Sequence, residues 1–187
     1  MPEPELRPAR PEESDAIAGL LSAAGLPVED LSVAMLDAFV VAADSEVCVG
    51  VVGLEVYESN ALLRSLAVEQ RHRSRGLGTR LIDAIETEAK ARGVTAVYLL
   101  TTTATTFFER LGYTTHDRAA VPPSIAATTE FSSLCPDTAD CLWRDLSIRS
   151  RQTEHGSGEF NRPTAHAVAP RAHPPPPSAS TDRCRTG

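Results

Sequence analysis

The chain has 187 residues, 42% of them apolar and 23% charged, with a net charge of −7, a profile that fits one globular domain with a sizeable core and room for a tail. Its acidity is concentrated: residues 1–146 hold 12 Lys+Arg against 22 Asp+Glu, whereas 147–187 hold 6 against 3. An acidic body excludes general nucleic-acid binding, which needs a basic surface to neutralise phosphates. No apolar run reaches the ~20 residues of a membrane span, so no membrane partner is expected. The first residues, Met-Pro-Glu-Pro-Glu, lack the basic and apolar regions of a signal peptide, and a cytoplasmic protein is the expectation. Four cysteines, at 48, 135, 141 and 184, are too few and too scattered for a disulfide framework or zinc cage. No metal is expected, with Cys135 and Cys141 as a soft-metal thiol pair the alternative.

In chain order, Leu6-Arg-Pro-Ala reads as a short strand. Pro11-Glu-Glu-Ser-Asp starts a helix, with Pro and acids in the first turn. Ile17, Leu20, Leu21 and Ala24 form its apolar face, and Gly25 with Pro27 ends it. Leu31 to Leu36 is a candidate second helix. Three strands follow: from Phe39, from Glu46 to Tyr57, and from Ala61 to Val68. Asp44-Ser45 and Ser59-Asn60 supply the turns, which makes an antiparallel meander. Gly76 to Arg92 is a helix with Leu77, Leu81, Ile82, Ile85 and Ala89 inward and Gly93 as its left-handed stop. Val94 to Leu100 is a buried strand by its β-branched and aliphatic content. Reached through a helix, it should lie parallel to the Ala61–Val68 strand. Ala104 to Leu111 forms a short helix, Pro122 to Ala127 a helical turn, and Cys141 to Leu146 a closing strand. The body is thus placed at 5–146. The Pro/Arg/Ser-rich stretch 150–187 is expected to be a disordered tail, with too little apolar surface to offset ordering entropy.

The most informative segment is residues 64–80, Arg-Ser-Leu-Ala-Val-Glu-Gln-Arg-His-Arg-Ser-Arg-Gly-Leu-Gly-Thr-Arg. A strand ending at Val68 passes into an arginine-rich turn carrying Arg73-x-x-Gly76-x-Gly78, and a helix follows at once. Glycines let backbone N–H groups approach a ligand closely. The helix start adds unpaired donors and the positive end of its dipole. An anionic ligand with a pyrophosphate is the expectation.

This order of elements, with Arg-x-x-Gly-x-Gly after the fourth strand and Ala104-Thr-Thr-Phe-Phe-Glu-Arg-Leu-Gly-Tyr later, resembles the GCN5-related N-acetyltransferases (GNAT). Three stretches, Ala61-Leu-Leu-Arg-Ser-Leu-Ala-Val, Val97-Tyr-Leu-Leu-Thr-Thr-Thr-Ala and Glu130-Phe-Ser-Ser-Leu-Cys-Pro, are similar to the ArsN-type acetyltransferases associated with arsenic resistance. The resemblance implies a mixed α/β fold: a mostly antiparallel sheet with one splayed parallel pair, flanked by helices. It also implies acetyl-CoA as donor, without a metal. The pyrophosphate would sit on Arg73, Ser74, Arg75, Gly76, Leu77, Gly78, Thr79 and Arg80, with the pantetheine arm beside Leu66, Ala67 and Val68. The acceptor implied is the primary amine of a small amino-acid-like molecule, with an organoarsenical as the sharpest form. The open-ended sheet permits a homodimer.

For the chemistry, a backbone N–H at Leu66 to Val68 is the candidate for stabilising charge on the thioester oxygen. Glu55 is the candidate base, with Glu58 beside it. Thr102 is the candidate catalytic hydroxyl among Thr101 to Thr103, and the alternative for this run is capping of the next helix by Thr103. Arg64, Thr101 and Arg118 are candidate substrate contacts, the arginines because a guanidinium grips an α-carboxylate. His116 reads as a surface residue and Tyr113 as a packing residue. Phe108 occupies the position where the family often places a proton-donating tyrosine. That departure keeps open a second reading, a catalytically idle CoA-binding sensor or interaction module.

Overall fold

The computed structural model describes residues 3–147, so the 150–187 tail and Cys184 lie outside the described residues. Strand β1 (Glu5–Pro8) is followed by a 3₁₀ turn (Pro11–Glu13), helix α1 (Ser14–Ala23) and a second 3₁₀ segment (Val33–Ala38). That segment lies where an α-helix was expected over 31–36. Then come β2 (Phe39–Asp44), β3 (Val47–Tyr57), β4 (Asn60–Val68), α2 (Leu77–Ala91), β5 (Ala96–Thr101) and α3 (Thr105–Arg110). The chain closes with β6 (Thr114–Thr115), α4 (Pro123–Ala126), a π-helical turn (Glu130–Leu134) and β7 (Asp140–Asp145).

The seven strands form one sheet in the order β1-β2-β3-β4-β5-β7-β6. Every pairing is antiparallel except β4 with β5, the pair joined through α2. The expected mixed α/β architecture is therefore present. Both hairpin turns sit one residue from their expected places. Ser45 and Glu46 take the consecutive positive φ angles of 49° and 72° that suit a tight hairpin. Asn60 is already paired with Tyr57, which leaves Glu58 (φ 56°) and Ser59 as the second turn. The two-residue β6, which pairs with β7, was not foreseen, being too short for a periodic signal.

Side-chain alternation divides the core between the faces of the sheet. Val52 and Leu54 of β3 and Ala61 and Leu63 of β4 pack with Leu81, Ile82 and Ile85 of α2. Spacing of one helical turn puts those α2 residues on one stripe, each contributing roughly 1.5–3 kcal/mol on burial. On the opposite face, Ile17 and Leu21 of α1 meet Val41, Val51 and Ala67. Leu62, Tyr98, Ile125 and Phe131 form a third cluster.

Two irregularities open the middle of the sheet. Pairing of β4 with β5 runs only from Asn60–Ala96 to Leu62–Tyr98, so the strands part beyond Leu62. On its other edge β4 carries a bulge: Gly53 faces Arg64 and Val51 faces Ala67, so Ser65 and Leu66 share one opposing residue. Ser65 takes φ 58° to accommodate it. Such a bulge bends the strand and re-aims its backbone.

Candidate functional site

The splayed strands and the start of α2 enclose a cleft of about 780 Å³. Leu66, Ala67 and Val68 of β4 form one wall, and Ser74, Gly76, Leu77, Gly78 and Thr79 form the rim above it. Gly76 is the residue just before α2 and has φ 78°, a left-handed conformation that a side chain disfavours. The first hydrogen bond of the helix is Arg80 N–H to the Gly76 carbonyl at 3.0 Å. The amides of Leu77, Gly78 and Thr79 therefore precede the ladder and remain available to an acceptor. A Cβ on Gly78 would lie 3.4 Å from the ring of Phe107, so glycine lets α3 pack against the helix start.

The arginines of the turn part company. Arg73 lines the cleft, and its Nε donates to the Val68 carbonyl at 2.8 Å, tying the turn to the strand end. Arg75 and Arg80, expected beside the phosphates, do not line the cleft. They border a separate hollow with Glu3, Asp44 and His72. Arg80 donates to the Pro4 carbonyl at 3.0 Å and pairs with Glu3 at 3.6 Å. Arg75 leaves the cleft from the turn before α2, and Arg80 from the first turn of the helix. Arg110, not singled out in the sequence, lines the cleft instead. It stands one helical turn from Phe107, on the same face of α3.

The far end of the cleft is organised by Arg64, a buried residue of β4. Its two terminal nitrogens fork onto the Asp30 carboxylate at 2.5 and 2.8 Å. Nη1 also donates to Glu55 at 2.7 Å, and Nε lies 3.2 Å from Glu130. The Tyr57 hydroxyl adds a 2.6 Å bond to Glu55, and burial, with that bond and the Glu55 charge, pushes the phenol up to about 12. Arg64 holds Asp30 below the ordinary carboxylate range by direct hydrogen bonding. Burial raises Glu130 above it, against the opposing pull of Arg64.

Several candidate roles need correction. Arg64 lines the cleft, yet the fork expected for a substrate carboxylate is filled by Asp30. Arg118 does not line it. Its guanidinium donates to the carbonyls of Phe131 at 2.6 Å and Pro136 at 2.8 Å and lies over the Phe131 ring, so it holds the 131–136 segment. Glu55 stands behind Arg64 instead of on the cleft wall, and Glu58 is an exposed turn residue. Thr102 is exposed and outside the lining, whereas Thr101 and Thr103 line it. Thr101 Oγ1 accepts the Ala104 amide at 3.0 Å, which ties the end of β5 to the residue before α3, and no side chain caps that helix.

Glu130, which the sequence did not mark as a site residue, is the one carboxylate lining the cleft among the described residues. Its only signal was its place at the head of the Glu130-Phe-Ser-Ser-Leu-Cys-Pro stretch. Phe108 stands in the cleft wall with no hydroxyl to offer. Tyr113 is buried, its hydroxyl donating to Glu86 at 2.8 Å while Arg144 holds the same oxygen at 3.0 Å. His116, expected at the surface, lies beside the stacked rings of Tyr98 and Trp143 and does not line the cleft. Cys135 and Cys141 are pushed up to about 11 by burial, which keeps them as thiols at neutral pH. The described residues contain no group of three or more His, Cys, Asp or Glu side chains placed to hold a metal ion, and no helix long and apolar enough to cross a membrane.

Comparisons with known proteins agree with this architecture. Residues 36–115 match the family model described as acetyltransferase (GNAT) domain. No curated protein matches the chain in sequence. Among solved structures, the fold is similar to N-acetylglutamate synthase from Neisseria gonorrhoeae, complexed with coenzyme A and N-acetyl-glutamate, at TM-score 0.67 and 19% identity. That match covers 76% of this chain and 35% of the synthase, so the chain spans about a third of that protein's length. It is also similar to Rv2747 from Mycobacterium tuberculosis, in complex with CoA and NLQ, at TM-score 0.64 and 22% identity over 76% of this chain and 99% of that one. A third, an aminoglycoside 6'-N-acetyltransferase complexed with coenzyme A, has TM-score 0.61 and 20% identity over 78% and 99%. The fold of this chain is that of the GNAT acetyltransferases, and residues 36–115 are the stretch that matches their domain model.

Proposed function

We propose that the protein is an acetyl-CoA-dependent N-acetyltransferase acting on the primary amine of a small molecule. The observation that carries this reading is the junction of two features in one cleft. An amide-lined helix start at Ser74–Thr79 opens onto the exposed β4 edge at Leu66–Val68. The residues fit the coenzyme: Gly76 gives the backbone its left-handed turn, Gly78 keeps the rim free of a side chain, and Arg73 supplies charge. Leu77, Gly78 and Thr79 amides with Arg73 would hold the pyrophosphate through charge-assisted hydrogen bonds.

Acetyl-CoA would supply a thioester carbonyl at which the C–S bond breaks as the C–N bond to the neutral amine forms, the proton shed by nitrogen passing through water to the released thiolate. The chain's own part is to hold both reactants in line, which removes much of the entropic barrier. A backbone N–H at Leu66 to Val68 faces the charge that develops on the carbonyl oxygen, and it does so without reorganising. Thr101 and Thr103 offer hydroxyls at the carboxyl end of β5, where α/β sheets place ligands. The amino-acid-like acceptor and the arsenic link rest on the resemblance of three stretches, and the filled Arg64 fork gives a carboxylate-bearing acceptor no support.

Phe108 in the cleft wall favours the second reading, a CoA-binding module without turnover. Thiol release from acetyl-CoA over a panel of amines, with products identified by mass spectrometry, separates the two. Acetylated amine supports the enzyme. Coenzyme binding without product supports the module.

A further inference from the structure

The end of the cleft opposite the helix start differs from the coenzyme end in the sign of its charge. The inference below rests on the reading that the cleft holds acetyl-CoA, and it concerns what the remaining space accepts. Arg64, with a side chain only 4% exposed, is shared by Asp30, Glu55 and Glu130, so three carboxylates surround one guanidinium. Of these carboxylates Glu130 borders the cleft. The other cations of the lining belong to the coenzyme end. Arg73 is tied to Val68, and Arg110 shares its face of α3 with Phe107, which packs beside Gly78. No lysine, histidine or tyrosine lines the cleft among the described residues.

A carboxylate entering this end would meet surplus negative charge and a guanidinium whose fork is filled. It would lose its hydration with no donor pair to replace it. An ammonium entering there meets the opposite balance, since it adds the counter-charge that the assembly lacks. We propose that the acceptor is an amine carrying no carboxylate beside its amino group, and that Glu130 receives its ammonium, which gives up one proton to water before the neutral nitrogen attacks the thioester. Asp30 and Glu55 act through Arg64, holding it away from substrate and holding Glu130 in place.

The test uses matched pairs that differ by one carboxylate: agmatine against arginine, cadaverine against lysine, tyramine against tyrosine. Each is assayed with acetyl-CoA and the full chain by thiol release, with product mass confirmed. The expected result is a kcat/KM at least about tenfold higher for the amine than for its amino acid. Glu130→Gln should raise KM for the preferred amine at least about tenfold while calorimetry shows the same Kd for CoA. Asp30→Asn, which loosens the fork, should narrow the gap between tyramine and tyrosine. Equal or reversed preference within the pairs overturns the proposal, as does an unchanged amine KM in Glu130→Gln. No product from any pair while CoA still binds overturns the acceptor assignment alone, whereas loss of CoA binding in the unaltered protein overturns the reading beneath it.

Discussion

The two ends of the cleft are built from different materials. At the helix start the polar groups on offer are main-chain amides of consecutive residues, set by Gly76 at φ 78° and by the first turn of α2. At the other end they are side chains on four separate segments, Asp30, Glu55, Arg64 and Glu130, brought together by one guanidinium. A backbone site tolerates exchange of its side chains but is sensitive to torsion angles. A side-chain assembly has the reverse weakness, because each acid depends on the one buried guanidinium at its centre.

The largest expected effect follows from that contrast. Arg64→Ala leaves Asp30, Glu55 and Glu130 facing one another without their counter-ion, and breaking a buried pair costs about 3–5 kcal/mol. The urea midpoint should fall accordingly. Arg73→Ala, at the exposed rim, should leave stability within about 1 kcal/mol and instead weaken CoA by about ten- to a hundredfold, the loss of a charge-assisted bond. Equal stability losses in the two variants would erase the distinction between the ends.

Gly76→Val should come next. A left-handed β-branched residue costs about 1–2 kcal/mol, and distortion of the amide rim should raise the Kd for CoA by at least about tenfold while the amine KM changes less. Acid should act selectively at the other end. Glu130, facing Arg64, Asp30, Glu55 and Cys135, is raised by burial, so its carboxylate protonates above the usual value of about 4.3. As pH falls through that raised value the amine KM should climb, while the KM for acetyl-CoA moves less. The two carboxylates also pull stability in opposite directions. Asp30, held low by Arg64, stabilises the fold above its unfolded value of about 3.9, and this is lost as pH falls through its depressed value. Glu130 favours the fold when protonated, and that share is lost as pH rises from about 4.3 through its raised value. A KM for the amine that is flat in acid would remove Glu130 from its contact. The smallest effect is expected of Thr101→Val, which loses the 3.0 Å bond to the Ala104 amide. It should cost about 0.5–1.5 kcal/mol in thermal or urea unfolding.

The same contrast explains what could be read from the chain alone. The amide rim is a local object: Gly76 and Gly78 between a strand and a helix state the backbone geometry within a few residues. The sheet order was legible for a similar reason, since short turns force antiparallel neighbours and the α2 connection forces a parallel one. Arg75 and Arg80 misled because composition of a turn does not give the direction of its side chains, and both border the separate hollow instead of the cleft. The acceptor end was not legible because its members are far apart in sequence. Arg64 and Glu55 were visible as charges, but their partners Asp30 and Glu130 become neighbours only through the loop after α1 and the π-helical turn before β7. A guanidinium filled from within the fold cannot be told, from sequence, from one that awaits a ligand.

The central claim is that the cleft is built around a diphosphate. Calorimetric titration of the full chain with CoA and, separately, with pantetheine, which carries the same thiol arm without phosphates, tests it most directly. The account predicts that CoA binds at least about a hundredfold more tightly, a difference of about 2.7 kcal/mol. Equal affinity for the two, or no heat with CoA, would contradict it.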